Sequence, residues 1–169
     1  NWAISAGNGI LDLSSSNDLE FTGKIEILPM GLFTKKGDYI GGDIYREEKL
    51  KMSIAFGADY NQNAYKSNGQ IGTRPGVETD LFLLFGDILL KYRGYSLMIE
   101  AATRSTPNRS ALVYNDEGEV TGAFYTGWGM NFQTGYVFKK MWEITGRYAF
   151  TNPNIDFMFL LNMDMHQID

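Results

Sequence analysis

The chain of 169 residues has no cysteine, one histidine and four prolines. Without cysteine there is no disulfide framework, no thiolate metal site and no cysteine nucleophile. A Ser-His-Asp hydrolase would have to use His166, and no GxSxG elbow, GxGxxG loop, Walker loop or HExxH motif occurs. His166 stands beside Met163 and Met165, which suits soft copper, but two thioethers and one imidazole need a further ligand in a fixed geometry. Asn108-Arg109-Ser110 fits the glycosylation pattern, which marks a surface loop at most. These absences argue against an enzyme and imply neither cofactor nor metal. Basic clusters are also missing, and a net charge of −5 argues against nucleic acid as a partner. No run of eighteen apolar residues exists, which excludes a transmembrane helix. The mean hydropathy of −0.23 resembles that of a soluble protein. Alternating strands hide their hydrophobicity in such a mean, so it does not count against a membrane location.

What the chain has is glycine and aromatics: 19 Gly, 10 Tyr and 11 Phe, a composition of strands and turns. The segment 121–150 shows the pattern best. Trp128, Met130, Phe132, Tyr136 and Phe138 occupy even positions against Gly129, Asn131, Gln133 and Gly135, and Trp142, Ile144, Tyr148 and Phe150 repeat the scheme against Glu143, Thr145 and Arg147. The period is two, that of a strand. Placing both apolar sets on one face needs an odd loop, most simply Lys139-Lys140-Met141, which sets Tyr136 opposite Ile144, Phe132 opposite Tyr148 and Gln133 opposite Arg147. A water-soluble sandwich would alternate too. The glycine-spaced polar face, and the aromatics at both ends of the apolar one, fit a transmembrane barrel strand better.

The rest of the chain reads as further strands over 2–7, 19–28, 38–45, 50–60, 79–92 and 95–104, about eight in all with the hairpin. The first half of 79–92 is apolar on both faces. Short turns are expected at Arg46-Glu47-Glu48, Arg93-Gly94 and Lys139-Lys140-Met141, and long polar loops at 61–77 and 105–119. Short and long connections therefore alternate, as in an up-and-down barrel with periplasmic turns and outer loops. The segment between the first two strands is longer than this rule wants.

The segments FTGKIEILPMG, GDYIGGDIYREEKLKMSIAFGADYNQNA, DILLKYRGYSLMIEAATR and GMNFQTGYVFKKMWEITGRYAFTNPN, in this order, resemble consecutive strands of the phosphate-selective porin family, the O and P type porins, especially those of Bacteroidetes. The resemblance covers roughly residues 1–154. It implies a sixteen-stranded antiparallel barrel in the bacterial outer membrane, commonly a homo-trimer. Residues 155–169 match nothing in that pattern and stay unassigned. The chain, one domain over 1–169, is then expected to be a central piece of a longer protein.

By strand parity Lys24, Lys49, Lys51, Lys91, Arg93, Arg104 and Arg147 point into the lumen, against Glu26, Asp59, Asp87, Glu100 and Glu143. Basic residues outnumber acidic ones, and rings of Arg and Lys favour anions. Lys24, Glu26, Lys51, Lys91, Arg93, Glu100, Arg104 and Arg147 are the candidate pore-lining residues. The expected function is passive diffusion of small hydrophilic solutes with a mild preference for anions, phosphate if the resemblance extends that far. The expected partners are outer-membrane lipid and small anions or other hydrophilic solutes. Two alternatives stay open: a structural or complex-forming barrel with a plugged lumen, and a barrel enzyme of the outer-membrane phospholipase kind.

Overall fold

A computed structural model describes residues 2–8, 19–69, 71–107, 112–118, 120–139, 142–154 and 165–168. Among them ten strands form: β1 Trp2–Asn8, β2 Leu19–Ile27, β3 Lys51–Ala64, β4 Thr79–Tyr92, β5 Tyr95–Ser105, β6 Leu112–Tyr114, β7 Val120–Ala123, β8 Gly127–Val137, β9 Glu143–Pro153 and β10 Met165–Ile168. Eight of them make one antiparallel sheet in the order β1-β2-β3-β4-β5-β8-β9-β10, and β6 and β7 form a separate hairpin. Among the described residues no ladder joins β1 to β10.

The register follows the alternation. Phe132 pairs with Tyr148, Gln133 with Arg147 and Tyr136 with Ile144, as the hairpin pattern required. In β4, whose first half is apolar on both faces, the even residues continue the apolar face and Leu81, Leu83 and Phe85 turn to the polar one. The pairing explains how the polar face takes an aromatic ring there: Phe85 lies opposite Gly57, and a Cβ at Gly57 would overlap the ring. The β4–β5 turn is tight because Arg93 and Gly94 both adopt positive φ, 49° and 98°, the conformation whose twist matches two flanking strands.

Two expectations are corrected. Residues 38–45 are not a strand and Arg46-Glu47-Glu48 is not a strand-to-strand turn. Thr34–Tyr39 instead forms a short 3-10 segment, and the chain from Leu28 to Leu50 contributes no strand to the sheet. The alternation there rests on Ile40 and Ile44 alone, interrupted by Gly41-Gly42. Lys35, Lys36 and Arg46 take positive φ, outside the extended region of a regular strand. The eighth strand of the sheet is β10, in the stretch left unassigned.

Losing that strand changes the parity of every connection before it. The C-terminal ends of β1, β3, β5 and β9 now lie at one end of the sheet, the long-loop end, and those of β2, β4 and β8 at the other, the short-turn end. The link between β1 and β2, anomalous in the sequence, thus leaves from the same end as the long connections after β3 and β5. The exception moves to 28–50, the one long connection at the short-turn end.

The outward row of the sheet is aliphatic and aromatic across six strands: Ile27, Ile54, Ile88, Ile99, Phe132 and Tyr148 are successive partners. These residues have no layer over them among the described residues; Ile54 is 39% exposed, Phe132 38% and Ile144 70%. The opposite, polar face is the buried one, with Ser53, Ala55, Leu89, Lys91, Ser96 and Val137 all covered.

Candidate functional site

What covers the polar face at the short-turn end is the segment 28–50. Lys91, 2% exposed, reaches out of β4 and donates from Nζ to the carbonyls of Gly37, Ile40 and Gly42 at 2.5–2.7 Å. The segment then presses on β8 and β9, where a Cβ on Gly41 would touch Gln133 and one on Gly42 would meet the Glu143 carboxylate. A buried carboxylate anchors its far side: Asp43 accepts from the backbone N–H of Glu47 at 3.1 Å and of Gly94 at 2.6 Å. Glu47, also buried, accepts from the N–H and hydroxyl of Thr34 at 2.6 and 3.0 Å, and its own carbonyl accepts from Arg93 N–H at 2.8 Å. Arg46 donates to the Val137 carbonyl and lies over the Tyr136 ring, 5.5 Å from its centroid. Charge-assisted bonds of this kind are about twice as strong as neutral ones, and here they tie one loop to β4, to β8 and to the turn between β4 and β5.

The expected pore-lining residues divide accordingly. Lys24, Glu26, Lys51, Lys91, Glu100, Arg104 and Arg147 all stand on the polar face in the register observed. Lys91 is buried beneath the loop, and Arg93 belongs to the turn, over the Tyr92 ring at 5.1 Å. Lys49 falls in a bend before β3. Lys51 holds the Met30 carbonyl at 3.1 Å, and Lys24 is ion-paired to Asp87 at 3.1 Å. Glu26 accepts from the Ser53 hydroxyl at 2.8 Å and Glu100 from the Asn131 amide at 2.6 Å. Arg147 is exposed. Arg104 donates to Asn68 at 3.3 Å, far up the face toward the long loops.

Parity misses three participants. Glu20 lies on the polar face beside Asp59. Asp43 and Arg46 sit in the loop read as a strand and a turn. Their signal is faint: a carboxylate followed four residues later by Glu47, in a stretch with two adjacent glycines. With these assignments the strand residues on the polar face, apart from buried Lys91, are basic at Lys24, Lys51, Arg104 and Arg147 and acidic at Glu20, Glu26, Asp59, Asp87, Glu100 and Glu143. The sign of the excess is reversed from the expectation.

A trough of 360 Å³ runs over the middle of this face, between Asp87 and Glu100 on one side and Asn131 and Thr151 on the other, with Ala102, Gly129 and Ala149 as a low floor. Among the described residues no group of three or more His, Cys, Asp or Glu side chains could hold a metal ion. His166 pairs by its backbone with Phe150, and Met163 lies outside the described residues. No family model, curated protein or solved structure matches the chain.

Proposed function

We propose that the chain forms part of the wall of an outer-membrane β-barrel that lets small hydrophilic solutes diffuse through a water-filled lumen. The observation that carries this reading is the inversion of the sheet: its apolar face is open, and its polar face is the one that is covered, where the loop 28–50 lies over it. The apolar face is also graded. Tyr92, Tyr95 and Tyr136 mark the short-turn end, Phe21, Tyr60, Phe82 and Trp128 the long-loop end, and the aliphatic row lies between. Tyr92 and Phe82 are ten residues apart on β4. At about 3.4 Å per residue and a tilt of about 40° they are separated by about 26 Å along a barrel axis, against about 25 Å for the apolar band of outer-membrane barrels. The resemblance to phosphate-selective porins supports a sixteen-stranded trimer, of which these eight strands would be half of one barrel.

The charge excess revises the selectivity. With carboxylates in the majority along the solvent-facing strand positions, small cations and neutral solutes are favoured over anions, and phosphate has no cluster of free basic side chains to hold it. A second reading, a barrel with a closed lumen, draws on the loop 28–50 lying across the polar face. Single-channel recording of the full-length protein in planar bilayers separates the two. Discrete conductance steps with potassium favoured over chloride are expected; a protein that inserts and never conducts would establish the closed barrel.

A further inference from the structure

At the long-loop end of the polar face the strands and the turn 66–69 enclose a cavity of 260 Å³ whose walls carry opposite charges that do not meet. Glu20 and Asp59 lie side by side on β2 and β3, with the Thr22 hydroxyl donating to Asp59 at 2.6 Å. Arg104 stands on the other side, on β5. Asp59 and Arg104 belong to one row through Leu83, two strand spacings or about 10 Å apart at the backbone. Among the described residues no ion pair joins Arg104 to either carboxylate; its hydrogen bond goes to Asn68 at 3.3 Å. Half-buried opposite charges attract strongly at the reduced dielectric of a cleft, so a gap held open between them leaves room for a molecule that carries both complements.

A third group points into the same space. Asn61 lines the cavity at 5% exposure, with its side-chain amide against Gly69 of the turn. An amide carries both donors and an acceptor, so it can serve either charged end of whatever fills the cavity. Leu81, Leu83 and Phe85 supply an apolar floor.

We propose that this cavity is a solute subsite for a small zwitterion, an α-amino acid with an apolar side chain. Its ammonium lies against Glu20 and Asp59, its carboxylate against Arg104, and its side chain on the leucine floor. The subsite rests on the channel reading for the solute's access and deepens it by naming a solute class.

Calorimetric titration of the full-length protein in detergent, with L-leucine as probe, tests the assignment. Two analogues each keep one charge: 3-methylbutylamine lacks the carboxylate and 4-methylpentanoate lacks the ammonium. Each should bind at least about tenfold more weakly than leucine, the effect of losing one hydrogen-bonded charge contact. Arg104→Gln should bring leucine down to the level of the amine and leave the amine unchanged. Equal binding of all three ligands, or no binding of leucine, would overturn the subsite; because the comparison is made on the wild-type protein, it does not depend on any variant folding. Conductance measured on the same preparation distinguishes the failures. A channel that conducts and does not discriminate loses the subsite alone, and a protein that discriminates without conducting loses the channel alone.

Discussion

Lys91 and Gly57 show what a single side chain decides in this sheet. Strand parity assigns Lys91 to the polar face correctly and cannot say that a loop lies over it, because the covering segment contacts it from 49 to 54 residues away in sequence. Replacing Lys91 by Met keeps the volume and strands three carbonyls. Each lost bond to the ammonium is worth about 1.5–3 kcal/mol where the carbonyl stays dry, so the loop should detach before the sheet melts. Trypsin cleavage at Lys35 or Lys36 in Lys91→Met, absent in the wild type at the same protease concentration, is the expected readout. At Gly57 the constraint is steric. Gly57→Ala drives a methyl group into the Phe85 ring and should destabilise by about 1–3 kcal/mol, as overpacked cores do. Phe85→Leu in the same molecule should recover most of that loss, measured by urea denaturation; additive losses would mean that the two residues do not share the space.

At the scale of elements, legibility depended on how many residues voted for one pattern. The hairpin of β8 and β9 was readable to the register because the alternation runs through eleven consecutive pairs and is broken only locally, by Thr134 with Gly146 on the apolar face and by Val137 on the polar one. The bounds of β4 were readable because a long loop precedes it and a two-residue turn follows. The loop 28–50 was not, since two isoleucines four apart are as compatible with a strand as with a coil, and positive φ at non-glycine residues leaves no mark in composition. The candidate site was legible as a face and not as a place: parity found ten of its charged residues, missed Glu20, and gave no sign of the loop that buries Lys91. That loop narrows any passage along the polar face. Replacing residues 33–48 by a short Gly-Ser linker should raise single-channel conductance while the β-sheet signature in circular dichroism persists. An unchanged conductance would show that the solute path runs clear of the loop.

For the whole molecule the sorted connections set an orientation. In the proposed barrel, loops 65–78 and 106–126 would lie outside the cell, and 28–50, 93–94 and 138–142 would face the periplasm. The absence of cysteine makes this directly measurable. Glu78→Cys and Glu117→Cys should react with a membrane-impermeant maleimide on intact cells, and Leu32→Cys and Lys139→Cys only after the outer membrane is breached. The opposite pattern would invert the protein. On the lipid side, Ile54→Arg and Phe132→Arg should each cost about 2–4 kcal/mol, with Thr151→Arg on the exposed part of the polar face nearly silent. Ser53, although on that polar face, is no fair control, because it is buried against Glu26. The strand order itself has a kinetic meaning. Except across the β6–β7 hairpin, every strand of the sheet pairs with the next one in the chain, so no addition closes a loop longer than one connection, and the entropy cost grows only slowly with the length of that connection. Assembly can therefore proceed vectorially, each new strand templated by the one before it. Until the last pair forms, however, the leading edge presents a row of unsatisfied N–H and C=O groups that hydrocarbon does not tolerate. In the proposed barrel, insertion and ring closure would thus be a single coupled event, and a chain stalled between them would be the species most exposed to aggregation.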